Sequence, residues 1–164
     1  MRSLPTPRAF PRLALILFLS ASVVACDSDS GGNDVSGDND LSSGTVRAVA
    51  GGTEFDATTI IAQFENGVLA IGGNLGASQA GEQEQINITL ANASTGSHSF
   101  GIGGASGVYS KGSISNLQAY AALSGTLNVT TLNDSGAAGT FSFTGRANDG
   151  TQIQMSDGEF DVTY

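Results

Sequence analysis

Residues 125–146, GTLNVTTLNDSGAAGTFSFTGR, hold two period-two runs on either side of a turn. Leu127 and Val129 alternate with Asn128 and Thr130, and Phe141 and Phe143 alternate with Ser142 and Thr144. Side chains two apart on an extended chain share a face, so each run has an apolar side for a core and a polar side for water. Between them, Asn133-Asp134-Ser135-Gly136 supplies residues that tolerate positive φ, the chemistry of a hairpin turn. The stretch reads as two half-buried antiparallel strands.

The same alternation recurs outward from this hairpin, at Ile86, Ile88 and Leu90 and again at Phe160, Val162 and Tyr164. Turn signals at Glu65-Asn66-Gly67, Asn148-Asp149-Gly150 and Asp157-Gly158 separate the runs. The chain has 23 glycines, no proline beyond Pro11, and few Leu/Glu/Lys-rich windows of helical length. Asn116–Leu123, NLQAYAAL, is rich enough in alanine for two helical turns, but its flanks are strand-like and it reads as extended. Predicted strands cover 45–50, 53–56, 58–65, 67–73, 84–91, 97–103, 107–110, 113–122, 125–132, 138–146, 151–155 and 158–164. Close spacing leaves no room for βαβ crossovers, so residues 45–164 are expected to form one all-β domain, an antiparallel β-sandwich or a rolled β-barrel-like sheet. Its core should consist mainly of Ile, Leu, Val, Ala and Phe.

Ahead of this domain, Arg2, Arg8 and Arg12 precede the apolar run Leu13–Leu19, the layout of a secretory signal peptide. Leu13 to Ala25 is too short and too serine-interrupted for a spanning helix, which needs about 20 apolar residues. Cys26 is the sole cysteine of the 164 residues and follows Val23-Val24-Ala25, which resembles the lipobox of bacterial lipoproteins. That resemblance implies cleavage after Ala25 and a diacylglyceryl thioether, usually with an N-acyl chain, on Cys26. Two or more acyl chains hold a protein on a bilayer stably, whereas one holds it only marginally. Residues 1–25 are then a signal, 26–44 a lipidated tether and 45–164 the folded domain. The membrane reached is expected to be the outer one, with the periplasmic or external side left open.

The tether, DSDSGGNDVSGDNDLSSG at 27–44, is polar and acidic and buries too little apolar surface to order itself. As a flexible chain it reaches roughly 25 Å, from about 5–6 Å times the square root of its length. Asp27-x-Asp29-x-Gly31 opens like a calcium loop, but Gly31, Asp34 and Asp38 occupy positions that demand other residue types, so a spacer is the better reading. All fifteen acids lie after Cys26 and only Arg47, Lys111 and Arg146 of the six bases do, so the mature chain carries three minus fifteen, or −12. Nucleic acid is excluded as a partner by this charge and by the absence of a basic stripe. No disulfide can form within the mature chain.

Gly125-Thr126-Leu127-Asn128-Val129-Thr130, then Gly139-Thr140-Phe141-Ser142-Phe143, then Asp157-Gly158-Glu159-Phe160 resemble a family of bacterial envelope lipoproteins of uncharacterised function. Its pattern is a G-x-[VIL]-x-[VIL]-T strand, a G-T-F-x-F hairpin arm and a closing D/N-G-x-F strand. Val108-Tyr109-Ser110 and Ala119-Tyr120 match its middle section more loosely. The resemblance implies no activity, substrate or catalytic residue. It agrees with the periodicity, since Phe160 and Val162 can share a face with Phe141 and Phe143 if the closing strands join one sheet.

A search for chemistry finds isolated pieces. His98 is the sole histidine and has no G-x-S-x-G partner motif, so a triad lacks support, and one histidine with a lipid-bound cysteine makes no zinc cluster. Gly101–Gly107 resembles a phosphate-binding loop without the Lys-Ser/Thr that such a loop requires. Glu82/Glu84 and Glu159/Asp161 each place two carboxylates on one strand face, an arrangement glycosidases use across a cleft and solvated sheets use for nothing. Asn87-Ile88-Thr89, Asn92-Ala93-Ser94 and Asn128-Val129-Thr130 fit a glycosylation pattern that a polar strand face also produces. Tyr109 and Tyr120 would make a platform for sugars if both were exposed, and core plugs otherwise. The expectation is a non-enzymatic envelope lipoprotein, structural or ligand-binding, with no cofactor and no metal. A glycan or an envelope protein is the expected partner besides the lipid bilayer. The alternative is an extracytoplasmic hydrolase acting on polymer through surface carboxylates.

Overall fold

The structure, a computed structural model, describes residues 42–76, 82–113 and 115–164. It contains ten strands: β1 Ser43–Ala50, β2 Thr53–Asp56, β3 Thr59–Glu65, β4 Val68–Asn74, β5 Glu82–Ala91, β6 Gly96–Ser99, β7 Ser106–Ser113, β8 Asn116–Asn133, β9 Gly136–Arg146 and β10 Gln152–Thr163. No helix occurs among the described residues. Every strand pair is antiparallel, in one sheet ordered β2-β1-β10-β9-β8-β7-β5-β4-β3, with β6 set against the second half of β8. The sheet curls into a half-barrel, the rolled form of the two that the alternation allowed.

Ten strands replace the twelve expected, because bulges join two pairs into long strands. The runs 113–122 and 125–132 fuse into β8 at Gly125, whose φ of +142° suits glycine and where a Cβ would collide with the Ser142 carbonyl oxygen. Its register against β9 slips between Ala122 and Ser124, which leaves Leu123 outside and moves the inward phase from Tyr120 to Leu127. The runs 151–155 and 158–164 fuse into β10 across a bulge at Ser156-Asp157, with Asp157 at φ +50°. A bulge adds one residue, breaks the sequence alternation and bends the strand, so a lost period marks curvature here and not a strand end. β6 stops at Ser99, short of the expected 103, because Gly101 and Gly103 at positive φ turn the chain. NLQAYAAL is extended, within β8.

The concave side is filled. Phe55, Leu69, Ile86, Ile88, Leu127, Val129, Phe143, Met155 and Val162 are among its fully buried side chains. Tyr109 and Tyr120 join the expected aliphatic and Phe residues, and each buried aromatic removes about 150–250 Å² from water. Between β9 and β10 the packing is reciprocal: Phe141 pairs with Gly158 and Phe160 with Gly139. A Cβ on Gly158 would lie 2.6 Å from the Phe141 ring, and one on Gly139 would lie 2.7 Å from the Phe160 ring. Each ring covers the glycine of the opposite strand, so the G-T-F-x-F and D-G-x-F segments form one interlocked unit.

The two ends of the curled sheet approach each other. The Ser42 hydroxyl, just before β1, donates to the Ala62 carbonyl of β3 at 2.9 Å and accepts from the Ala62 N–H at 2.7 Å. The Ala57 N–H donates to the Val46 carbonyl at 3.0 Å, and the Phe64 and Tyr164 rings lie 6.4 Å apart.

Candidate functional site

With the interior occupied, the outward faces of the strands are where a ligand has access. On β1, β2 and β10 the outward positions include Arg47, Glu54, Asp56, Glu159 and Asp161, and Arg47 forms an ion pair with Glu159. Next to them, Thr126, Asn128, Thr140 and Ser142 line an open groove of about 590 Å³. This side is acidic and hydroxyl-rich, and its carboxylates do not gather: no group of three potential metal ligands forms among the described residues.

The outward face of β3, β4 and β5 is different. Strand register sets three rungs across it: Thr59–Asn74–Gln85, Ile61–Gly72–Asn87 and Gln63–Ala70–Thr89. Because the middle strand carries Gly72 and Ala70, the side chains of β3 and β5 stand as walls on either side of a low floor. The resulting trough encloses about 230 Å³ and is lined by no ionisable group. Gln85 braces Asn87 by donating from Nε2 to Oδ1 at 3.3 Å. Asn74 Oδ1 accepts the Gly76 N–H at 2.6 Å, which fixes the carboxamide at the trough's end. Ile61, 69% exposed, is the apolar element of the wall.

On the inward side of β5, β7 and β8, a polar cap borders the core. The Tyr109 hydroxyl donates to Glu84 Oε2 at 3.0 Å, and Lys111 Nζ lies 2.6 Å from Glu84 Oε1. Tyr120 donates to Gln118 Oε1 at 2.6 Å, and Gln118 Nε2 donates to Asp149 Oδ2 at 2.9 Å. Burial first, then the Glu84 carboxylate, raises the Tyr109 phenol well above its ordinary value. The Glu84 hydrogen bond raises Lys111, and the Thr151 N–H lowers Asp149. No buried side-chain nitrogen or oxygen among the described residues lacks a partner.

Several sequence expectations meet this geometry. Tyr109 and Tyr120, at 1% and 9% exposure with rings stacked 6.1 Å apart, are core residues and make no platform for sugars. Glu84 is held by Lys111 and Tyr109, and Glu159 by Arg47. His98 Nε2 donates to the Ser94 carbonyl at 2.8 Å and so ties the turn that precedes it. In the Gly101–Gly107 loop the N–H groups of Gly101, Gly104 and Ala105 bond to carbonyls of Ala105, Gly101 and Ser99, so these three are already occupied by the chain itself. Asn87 stands in the trough wall, Asn128 on the acidic side, and Asn92 adopts φ +51° in a turn. Cys26, with Val23, Val24 and Ala25, and the acidic stretch through residue 41 lie outside the described residues.

The trough was missed from sequence because it needs three strands in register. Its signal was present in pieces: Gly72-Gly73 inside an apolar run, and Gln85, Asn87 and Thr89 at period two. No curated protein and no solved structure matches the chain. Residues 42–162 match the family described as a domain of unknown function, DUF6252, and since that match spans most of the chain and begins at the serine that ties β1 to β3, the protein belongs to the DUF6252 family.

Proposed function

We propose that this protein is a lipid-anchored envelope lipoprotein whose β-domain is a non-enzymatic binding module that works through its outer surface. The lipobox-like Val23-Val24-Ala25-Cys26 behind an apolar, arginine-led run supports the anchor. The acidic spacer supports presentation of the domain away from an outer-membrane surface. The observation that carries the binding role is the uncharged trough over β4, a formed concavity on a domain whose interior is full. A β-domain on a tether needs only such a surface to hold a ligand near the membrane.

The anchor is tested with Cys26→Ser in the native host. The wild-type chain should fractionate with membranes and show, by intact mass, loss of residues 1–25 and addition of acyl groups. The Cys26→Ser chain should leave the membrane fraction or keep its leader. A wild-type chain with a bare thiol and an intact leader would overturn this reading.

A further inference from the structure

We infer that the trough over β4 binds an uncharged, hydroxyl-rich chain, a neutral oligosaccharide segment lying along the strand. The inference rests on the binding-module reading above and names its ligand class. The floor from Ala70 to Asn74 runs about 14 Å at about 3.4 Å per residue, and the walls on β3 and β5 stand two strand spacings, roughly 9.5 Å, apart. That is a slot for a slim linear ligand.

The chemistry of the walls selects among such ligands. Gln63, Gln85 and Asn87 each present both donors and acceptors, and Thr59 and Thr89 each do so through one hydroxyl. Sugar hydroxyls have the same dual character, so they can be matched without ionisation on either side. A phosphate or carboxylate would find no countercharge in the trough of a chain whose mature charge is −12. Exposed Ile61 offers a carbon surface for the C–H face of a ring.

Two adjacent glycines of β4 differ in what would fill the place of the missing side chain. Gly73 faces inward, where a Cβ would lie 2.9 Å from Val46 Cγ1 and 3.0 Å from Ala57 Cβ, so packing alone demands it. Gly72 faces outward with no positive φ to require glycine, and the nearest atoms to a Cβ there would be Asn87 Oδ1 at 3.2 Å and Ile61 atoms beyond 3.5 Å. Glycine inside a strand weakens it and often marks a bulge, a tight bend or close approach by a ligand or another backbone, and the β3–β4 and β4–β5 registers run through Gly72 without a bulge.

The test is to titrate the mature chain with linear neutral oligosaccharides of the cello, malto and chito series while following the side-chain amide signals of Gln85 and Asn87 by NMR. Saturable shifts with at least one series are expected. Replacing Gln85 and Asn87 together with alanine should weaken that binding, read by titration calorimetry, about tenfold or more with an unchanged thermal midpoint, while Glu159→Gln on the acidic side should leave it intact. Silence from every series, or affinity indifferent to the double change, overturns the inference. Should an extended neutral peptide rich in Ser and Thr move the same signals where glycans do not, the glycan assignment fails and the binding-module reading survives. Silence from both probes with Cys26 acylated removes the binding module and leaves the anchor.

Discussion

Gly139 and Gly158 lie on one side of the half-barrel under aromatic rings, whereas Gly72 lies on another with its missing side chain toward water. In β9 and β10 the place of the absent Cβ is taken by the Asn128 and Phe141 carbonyl oxygens and, next, by the Phe160 and Phe141 rings, so glycine there is a packing device. In β4 nothing from the chain fills the space, and neighbouring side chains stand around it as walls. The same residue type thus closes a core in one region and opens a surface in the other. What distinguishes the two is the face of the strand on which it falls.

The largest effect should come from breaking the filled version. Phe160→Ala removes a 2%-exposed ring and uncovers Gly139 as well, and is expected to cost about 3–5 kcal/mol in urea unfolding. Gly139→Ala approaches the same contact from the other strand, with a methyl aimed at the Phe160 ring and the Asn128 carbonyl, and should cost about 1–3 kcal/mol. Because the two positions touch, their effects should not add: Phe160→Leu should recover part of the Gly139→Ala loss. Strict additivity would show that the ring and the glycine are not one unit.

An intermediate effect tests the cap beneath the trough. β5 carries Glu84 inward and Gln85 and Asn87 outward, so one strand serves both. The fold holds Tyr109 protonated beyond its ordinary value of about 10, chiefly by burial and then by Glu84. Tyr109 therefore contributes stability that is fully present below about pH 10, and the unfolded chain, which releases the proton first, gains as pH rises above that. One proton corresponds to a loss of up to about 1.4 kcal/mol per pH unit. Tyr109→Phe should flatten the fall in stability between pH 10 and 11.5 by that amount, measured by urea unfolding, and leave the part due to Lys111, whose pKa is raised in the same sense. An unchanged slope would place the alkaline loss elsewhere.

How much of this was legible depended on range. Alternation of Leu127 with Val129 and of Phe141 with Phe143 specified strands, because a period of two needs only neighbours in sequence. The merging of runs into β8 and β10 was hidden, since a bulge breaks the alternation while the ladder goes on past Leu123 and Asp157. The burial of Tyr109 and Tyr120 was legible as the commoner fate of strand tyrosines, but their hydroxyl partners Glu84 and Gln118 were not, because those are set by strand pairing and side-chain reach. The trough was least legible: Ile61, Gly72 and Asn87 meet only when β3, β4 and β5 pair in one register.

The smallest effect on stability bears most on function. Gly72→Ala places a methyl on the trough floor 3.2 Å from Asn87 Oδ1, an atom held only by the long 3.3 Å bond from Gln85 and needing to shift by a few tenths of an ångström. The backbone there is ordinary strand, so alanine lowers the entropy of the unfolded chain without straining the folded one. Unfolding should therefore show stabilisation of about 0.4–1 kcal/mol, opposite in sign to Gly139→Ala. If Gly72 exists for packing, Gly72→Ala will instead destabilise as Gly139→Ala does. Stabilisation by Gly72→Ala would fit a floor left open on the solvent face, and destabilisation would make Gly72 a packing residue like Gly139.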